Sequence, residues 1–149
     1  MSLTESELID EICRRVPHHP TPVGPGDDAA VVEDLVIATD TMVEGTHFLR
    51  RHPPHWLGWK LLSINLSDIA AMGVKPTGFL LSAAWPQGTP SSWWAAVCDG
   101  LAEVAHAHGV VVSGGDTVRS DGMMTLTVTA WGKRDGVRVL QRRCSSAPL

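Results

Sequence analysis

Aspartates at positions 27, 28, 40, 68 and 116, in the settings GPGDDAA, IATDT, NLSDIAAMG and SGGDT, restrict how this chain can fold. Their neighbours are mostly Gly, Ala, Ser or Thr, and none has an adjacent Lys or Arg. Carboxylates without basic partners, beside residues small enough to admit a ligand, are what a hard divalent cation requires. A fold that serves them must bring residues far apart in the chain to common ground. The pattern points to magnesium and a phosphate-bearing substrate.

The 149 residues predict one domain, long enough to bury roughly 70 % of the surface its unfolded form exposes. Net charge is −4 and the basic residues are scattered, apart from Arg138, Arg142 and Arg143 near the end. A nucleic-acid binder would show a basic stripe, so that class is set aside. Cys13, Cys98 and Cys144 are far apart, with no CxxC or Cys/His metal spacing, which predicts free thiols in a reducing compartment. The start, MSLTESELIDEICRR, lacks the basic and apolar regions of a signal peptide. No apolar run approaches the ~20 residues that cross a bilayer. The expectation is a cytoplasmic protein with neither a nucleic-acid nor a membrane partner.

Thr4 with Glu7 forms a capping-box pattern ahead of the stripe Leu8, Ile9, Ile12, Val16, so a helix is expected to end before Pro17. Short β-rich runs at 29–32 and 35–39, joined by Glu33-Asp34, predict a hairpin, and 41–53 a loop over the site. The longest helix is expected over 54–72, closed by Gly73 and Pro76. Leu57, Leu61, Ile64, Asp68 and Met72 then share one face. Asp68 on that apolar stripe needs a cation, a proton or a donor, and Asn65 three residues earlier can help hold it. Further on, the pattern predicts a strand at 78–85, a helix capped by Ser91 or Ser92 through His108, a strand at 110–112 ending at SGGD, and a strand at 124–130. A last β piece is expected at 137–140. This order predicts an α/β (α+β) sandwich, with a mixed sheet and helices on one face rather than a Rossmann core.

Taken singly, each acidic motif is weak. GPGDDAA is also an ordinary turn, and TDT also a helix cap or turn. Adjacent Asp27 and Asp28 repel, however, unless a cation lies between them or one faces solvent. Thr39 and Asp40 can project oxygens from a strand end into a shared site. The glycines of GGDT let backbone N–H groups approach an anion while Asp116 ligates its metal. No Walker A pattern exists. His47, in EGTHF, can contact a substrate phosphate, whereas the other histidines read as surface or loop residues. The six tryptophans read as core or interface anchors.

In this order GDDAA, TDTMVEGTHF, NLSDIAAMG and GGDT closely resemble the thiamine-monophosphate kinase family. Its superfamily also holds aminoimidazole ribonucleotide synthetase, selenophosphate synthetase and a hydrogenase maturation protein. The resemblance covers nearly the whole chain but only the family's N-terminal, ATP- and Mg-binding domain, so residues 1–149 are expected to be that domain with the C-terminal one absent. It implies ATP-dependent phosphorylation of thiamine phosphate to thiamine diphosphate, with ATP as co-substrate and several Mg²⁺ ions. It also implies a homodimer whose sheets share a barrel. Asp28, Asp40, Asp68 and Asp116 would be metal ligands, Thr39 would add one, and Asp27 would stand outside them. His47 matches the substrate-contacting histidine, and Gly115, Asp116 and Arg143 match nucleotide-contacting positions. Ala38 stands where relatives often carry a ligating Ser, and the usual RSGAxPGD ending is here RCSSAPL. Another ATP-dependent enzyme of the superfamily, or a non-catalytic nucleotide-binding or dimerisation module, are the alternatives.

Overall fold

A computed structural model describes residues 4–17, 23–25, 27–136 and 138–141. The elements run α1 (Glu5–Arg15), β1 (Ala30–Val32), β2 (Leu35–Val43), α2 (Pro54–Ala71), β3 (Pro76–Pro86), α3 (Ser91–His108), β4 (Val111–Ser120) and β5 (Thr125–Lys133). The five strands form one mixed sheet ordered β1-β2-β5-β3-β4. Only β3 and β4 pair in parallel, which the connecting helix α3 permits.

The capping box forms as the sequence requires: Thr4 Oγ1 accepts from Glu7 N–H, and the Glu7 carboxylate accepts from Thr4 N–H at 2.8 Å. Yet no residue of α1 is buried, so its apolar stripe does not join the core. The core lies instead between the sheet and α2. Val36, Ala38 and Met42 of β2 and Leu126, Val128 and Ala130 of β5 face Leu57, Leu61, Leu62 and Ile69. α3 packs on α2 and adds Val97, Leu101 and Val104. The two helices meet at glycines. A Cβ on Gly58 would stand 2.0 Å from Val97 O, and one on Gly100 1.9 Å from His55 O.

Two strands run further than the sequence suggests. β2 continues to Val43, so Thr39 and Asp40 are interior to it, and the strict alternation of buried and exposed side chains persists through TDT. β4 runs from Val111 to Ser120, which makes GGDT strand rather than a strand end. Glycine explains this. Gly115 adopts φ +152°, and a Cβ there would lie 1.8 Å from Leu81 O, so only glycine lets β4 approach β3 this closely. α3 begins at Ser91 with Pro90 as N-cap and no side-chain cap, so neither serine caps it. Residues 138–141 form no strand, and Leu140 N–H donates instead to Met72 O at 3.1 Å. Among the described residues no helix is long and apolar enough to cross a membrane.

Candidate metal and nucleotide site

Asp40 follows Val36 and Ala38 on the helix-facing side of β2, and its side chain is half-buried. β1 pairs β2 only from Leu35 to Ile37, so beyond that point the outer edge of β2 is open. The Asp40 N–H would be orphaned there. Asn65, fully buried on α2, supplies the acceptor: its Oδ1 takes the Asp40 N–H at 3.0 Å, and its Nδ2 donates to Leu61 O at 2.9 Å. Asn65 therefore fixes the backbone of Asp40, where the sequence suggested a role in holding Asp68. Asp68 lies three residues further along α2, about 4.5 Å of helix rise, and is half-buried.

The acidic pair comes from a different segment. Both residues precede β1, whose pairing with β2 begins at Ala30–Ile37 and does not extend to Thr39 or Asp40. Asp28 N–H donates to Asp27 Oδ1 at 3.0 Å, which bends the chain at this point. Asp27 and Asp28 lie in the segment leading into β1, Asp40 on β2 and Asp68 on α2, and no three of these carboxylates come together as a group among the described residues. The hydroxyl of Thr39 is on the opposite face, bonded to Val128 O at 3.2 Å and Thr129 Oγ1 at 3.0 Å.

Asp116 is elsewhere. The register runs Thr41–Thr127–Ser82–Asp116 across the sheet, so Asp116 is three strands from β2 and on the face opposite Asp40. Three strand spacings are roughly 14 Å, too far for one ion to bind both carboxylates in the same chain. It is exposed on β4, an edge strand exposed along all but its last residue. Among the described residues no Lys or Arg pairs with Asp40 or Asp116, and no three His, Cys, Asp or Glu form a ready metal-holding group. The side chains of Asp27, Asp28, Asp40 and Asp68 nevertheless offer only carboxylate oxygens, donor chemistry that fits a hard divalent cation. Arg143 lies outside the described residues.

His47 is exposed in the turn between β2 and α2. Beside it the sequence reading missed a cluster. Glu44 pairs with Arg50 through both carboxylate oxygens, at 2.9 and 2.7 Å, and accepts from Met124 N–H at 3.0 Å. Opposite charges six apart in a predicted loop were its only sequence signal. The Arg50 guanidinium, helped by the Met124 N–H, holds the Glu44 carboxyl below the usual carboxylate range, against a smaller upward push from burial. A cavity of about 600 Å³ lies beside this cluster, lined by Leu49, Arg51, Pro86 and Met123 among others.

The fold belongs to a known group: residues 26–133 match the family model "AIR synthase related protein, N-terminal domain", and the chain belongs to that family. Within it, the chain is similar to the thiamine-monophosphate kinase of Bacillus subtilis, 40 % identical over 139 residues, covering 88 % of this chain and 42 % of that protein. It is also similar to the thiamine-monophosphate kinase of Synechococcus elongatus, 39 % identical over 123 residues, covering 78 % of this chain and 37 % of that protein. The structure described as AaThiL complexed with AMPPCP and TMP superposes with a TM-score of 0.81 at 32 % identity, covering 93 % of this chain and 47 % of that one. The chain thus spans less than half the length of the relatives it matches.

Proposed function

We propose that this chain is the nucleotide- and metal-binding domain of an ATP-dependent kinase that converts thiamine phosphate to thiamine diphosphate. The observation that carries the reading is its similarity to thiamine-monophosphate kinases over 88 % of its own length. The half-buried Asp40 and Asp68, with Asn65 fixing the Asp40 main chain, support it, as does the AMPPCP and TMP complex of the AaThiL neighbour. Asp28, Asp40 and Asp68, with Asp27 outside them, would hold Mg²⁺ at the β2 corner, and Thr39, whose hydroxyl faces away, would add a ligand only through its main-chain oxygen. Asp116 would hold a separate ion on β4, and Gly115, Asp116 and Arg143 would contact the nucleotide. Bound Mg²⁺ would neutralise the phosphates, so that two anions can share an acidic cleft.

The protein's remaining work is positioning. The acceptor's phosphate oxygen attacks the γ-phosphorus in line. It needs no general base, because a phosphate monoester with a second pKa of about 6 is already largely ionised near neutrality. His47 binds that acceptor phosphate. ATP as co-substrate and the unbridged Cys13 and Cys98 fit a cytoplasmic setting.

The test is calorimetric titration of the chain with Mg²⁺ and AMPPCP, followed by turnover assays with thiamine phosphate and with other phosphate acceptors. Mg²⁺-dependent AMPPCP binding and transfer to thiamine phosphate are expected. Preference for another acceptor would move the assignment to a different enzyme of the superfamily. Binding without transfer to any acceptor would leave a nucleotide-binding or dimerisation module.

The same reading implies a homodimer. The sheet face away from α2 carries the hydrogen-bonded pairs Thr39–Thr129 and Thr41–Thr127, flanked by exposed Leu35, Leu80 and Val118. A second copy of this chain would cover that face and the edge of β4. Light scattering at high micromolar concentration should report twice the chain mass, and Leu80→Glu should halve it. A monomeric wild type would count against the shared sheet.

A further inference from the structure

The turn that carries His47 is held from several sides. Its own N–H donates to Val43 O at 2.8 Å, and Val43 N–H returns a bond to the ring at Nδ1, 3.0 Å. A ring nitrogen that accepts from an N–H carries no proton, so the neutral imidazole carries it on Nε2. The backbone around it is fixed equally well. Gly45 N–H donates to Phe48 O at 2.7 Å, Phe48 is buried, and Glu44 N–H donates to Met124 O at 2.9 Å. Arg50 then closes the turn. Its Nε and Nη2 grip Glu44, its Nη1 reaches Thr89 Oγ1 at 3.3 Å, and its guanidinium stacks over Trp93 at 5.6 Å.

We infer that Glu44 and Arg50 are positioning residues that lock this turn, so that His47 keeps its proton on Nε2 and presents that N–H as a neutral donor to an anionic oxygen. The identity of the anion as the acceptor's phosphate rests on the kinase reading above; the tautomer does not. A planar fork is needed at Arg50, because three groups in different directions must be satisfied at once. A lysine keeps the charge and loses the geometry. The neutral ring matters because a protonated imidazole has two donors and no acceptor, and would break the bond from Val43.

The experiment is nitrogen-15 NMR of the imidazole in the 149-residue chain, at a pH where the ring is neutral, with His47 assigned by its loss in His47→Gln. An unprotonated Nδ1 and a protonated Nε2 are expected in the unaltered chain. A proton on Nδ1 would overturn the inference before any variant is made. In Arg50→Lys, and in Arg50→Ala if it folds, the two resonances should move towards one another as the ring samples both tautomers. A purely structural role would lower the melting temperature without that movement, so unshifted resonances in folded Arg50→Lys would overturn the positioning role. Thiamine phosphate is then added to the unaltered chain, and the Nε2 resonance should shift. If the tautomer is as expected but thiamine phosphate moves nothing, the kinase reading fails at this residue and the inference about the turn stands.

Discussion

Gly100→Ala is expected to destabilise the protein by about 3 kcal/mol, lowering the thermal midpoint by roughly 10 °C. Alanine is the better helix former by about 1 kcal/mol, so propensity alone predicts the opposite sign. Packing decides. The new Cβ would stand 1.9 Å from His55 O and 2.8 Å from Trp59 N, backbone atoms of α2 that cannot swing aside as a side chain would. The helices must separate, and the buried faces around Val97, Leu57 and Leu61 would separate with them. Gly58→Ala meets Val97 O at 2.0 Å and should cost a similar amount. Once either substitution has parted the helices the second meets less resistance, so the double variant should lose clearly less than the sum of the singles. Gly122→Ala is the control: nothing lies within 4 Å of its Cβ, and its effect should stay within about 0.5 kcal/mol. Differential scanning calorimetry reads all four, and a Gly100→Ala midpoint equal to the unaltered chain would show that the two backbones do not touch here.

The same contact explains which parts of this molecule are legible in its sequence. Local signals worked. The Thr4–Glu7 box and Gly73 after α2 act within one turn of themselves, and each appears where the pattern places it. The spacing of Leu57, Leu61 and Met72 also set these residues on the buried side of α2. What failed was whatever depends on a neighbour. Polar Thr39 and Thr41 look like the end of a strand until β5 stands alongside, offering Thr129 and Thr127 as partners for their hydroxyls. Gly114 and Gly115 read as the end of a strand because nothing local shows that β3 will press against them. Strand order is the largest omission. β5, last in sequence, inserts between β2 and β3, and this insertion sends Asp116 to the far edge. No periodicity within β5 encodes that choice; it is settled by which buried faces fit together, a long-range matter.

Asp40→Asn is expected to weaken Mg²⁺-dependent AMPPCP binding by roughly 100-fold, the upper end of what partners outside a metal's ligand shell alone cost. It should leave folding intact, since asparagine has the same shape and the bond from residue 40 N–H to Asn65 Oδ1 involves only the main chain. In the absence of metal the substitution should even stabilise slightly, because it removes a half-buried charge that no Lys or Arg offsets among the described residues. Opposite signs for stability and ion affinity are the signature of a ligand. Asn65→Leu should behave otherwise: it strips the acceptor from the Asp40 N–H, costs about 1–3 kcal/mol, and weakens binding only because the corner loses its shape. Asp116→Asn supplies the last comparison. If Asp116 serves a separate ion, roughly 14 Å away across the sheet, its effect on the AMPPCP binding free energy should add to that of Asp40→Asn. If a partner chain brings it to the same ion, the double variant should lose much less than the sum. Asp40→Asn binding AMPPCP as tightly as the unaltered chain, at limiting Mg²⁺, would remove the β2 corner as the ion site altogether.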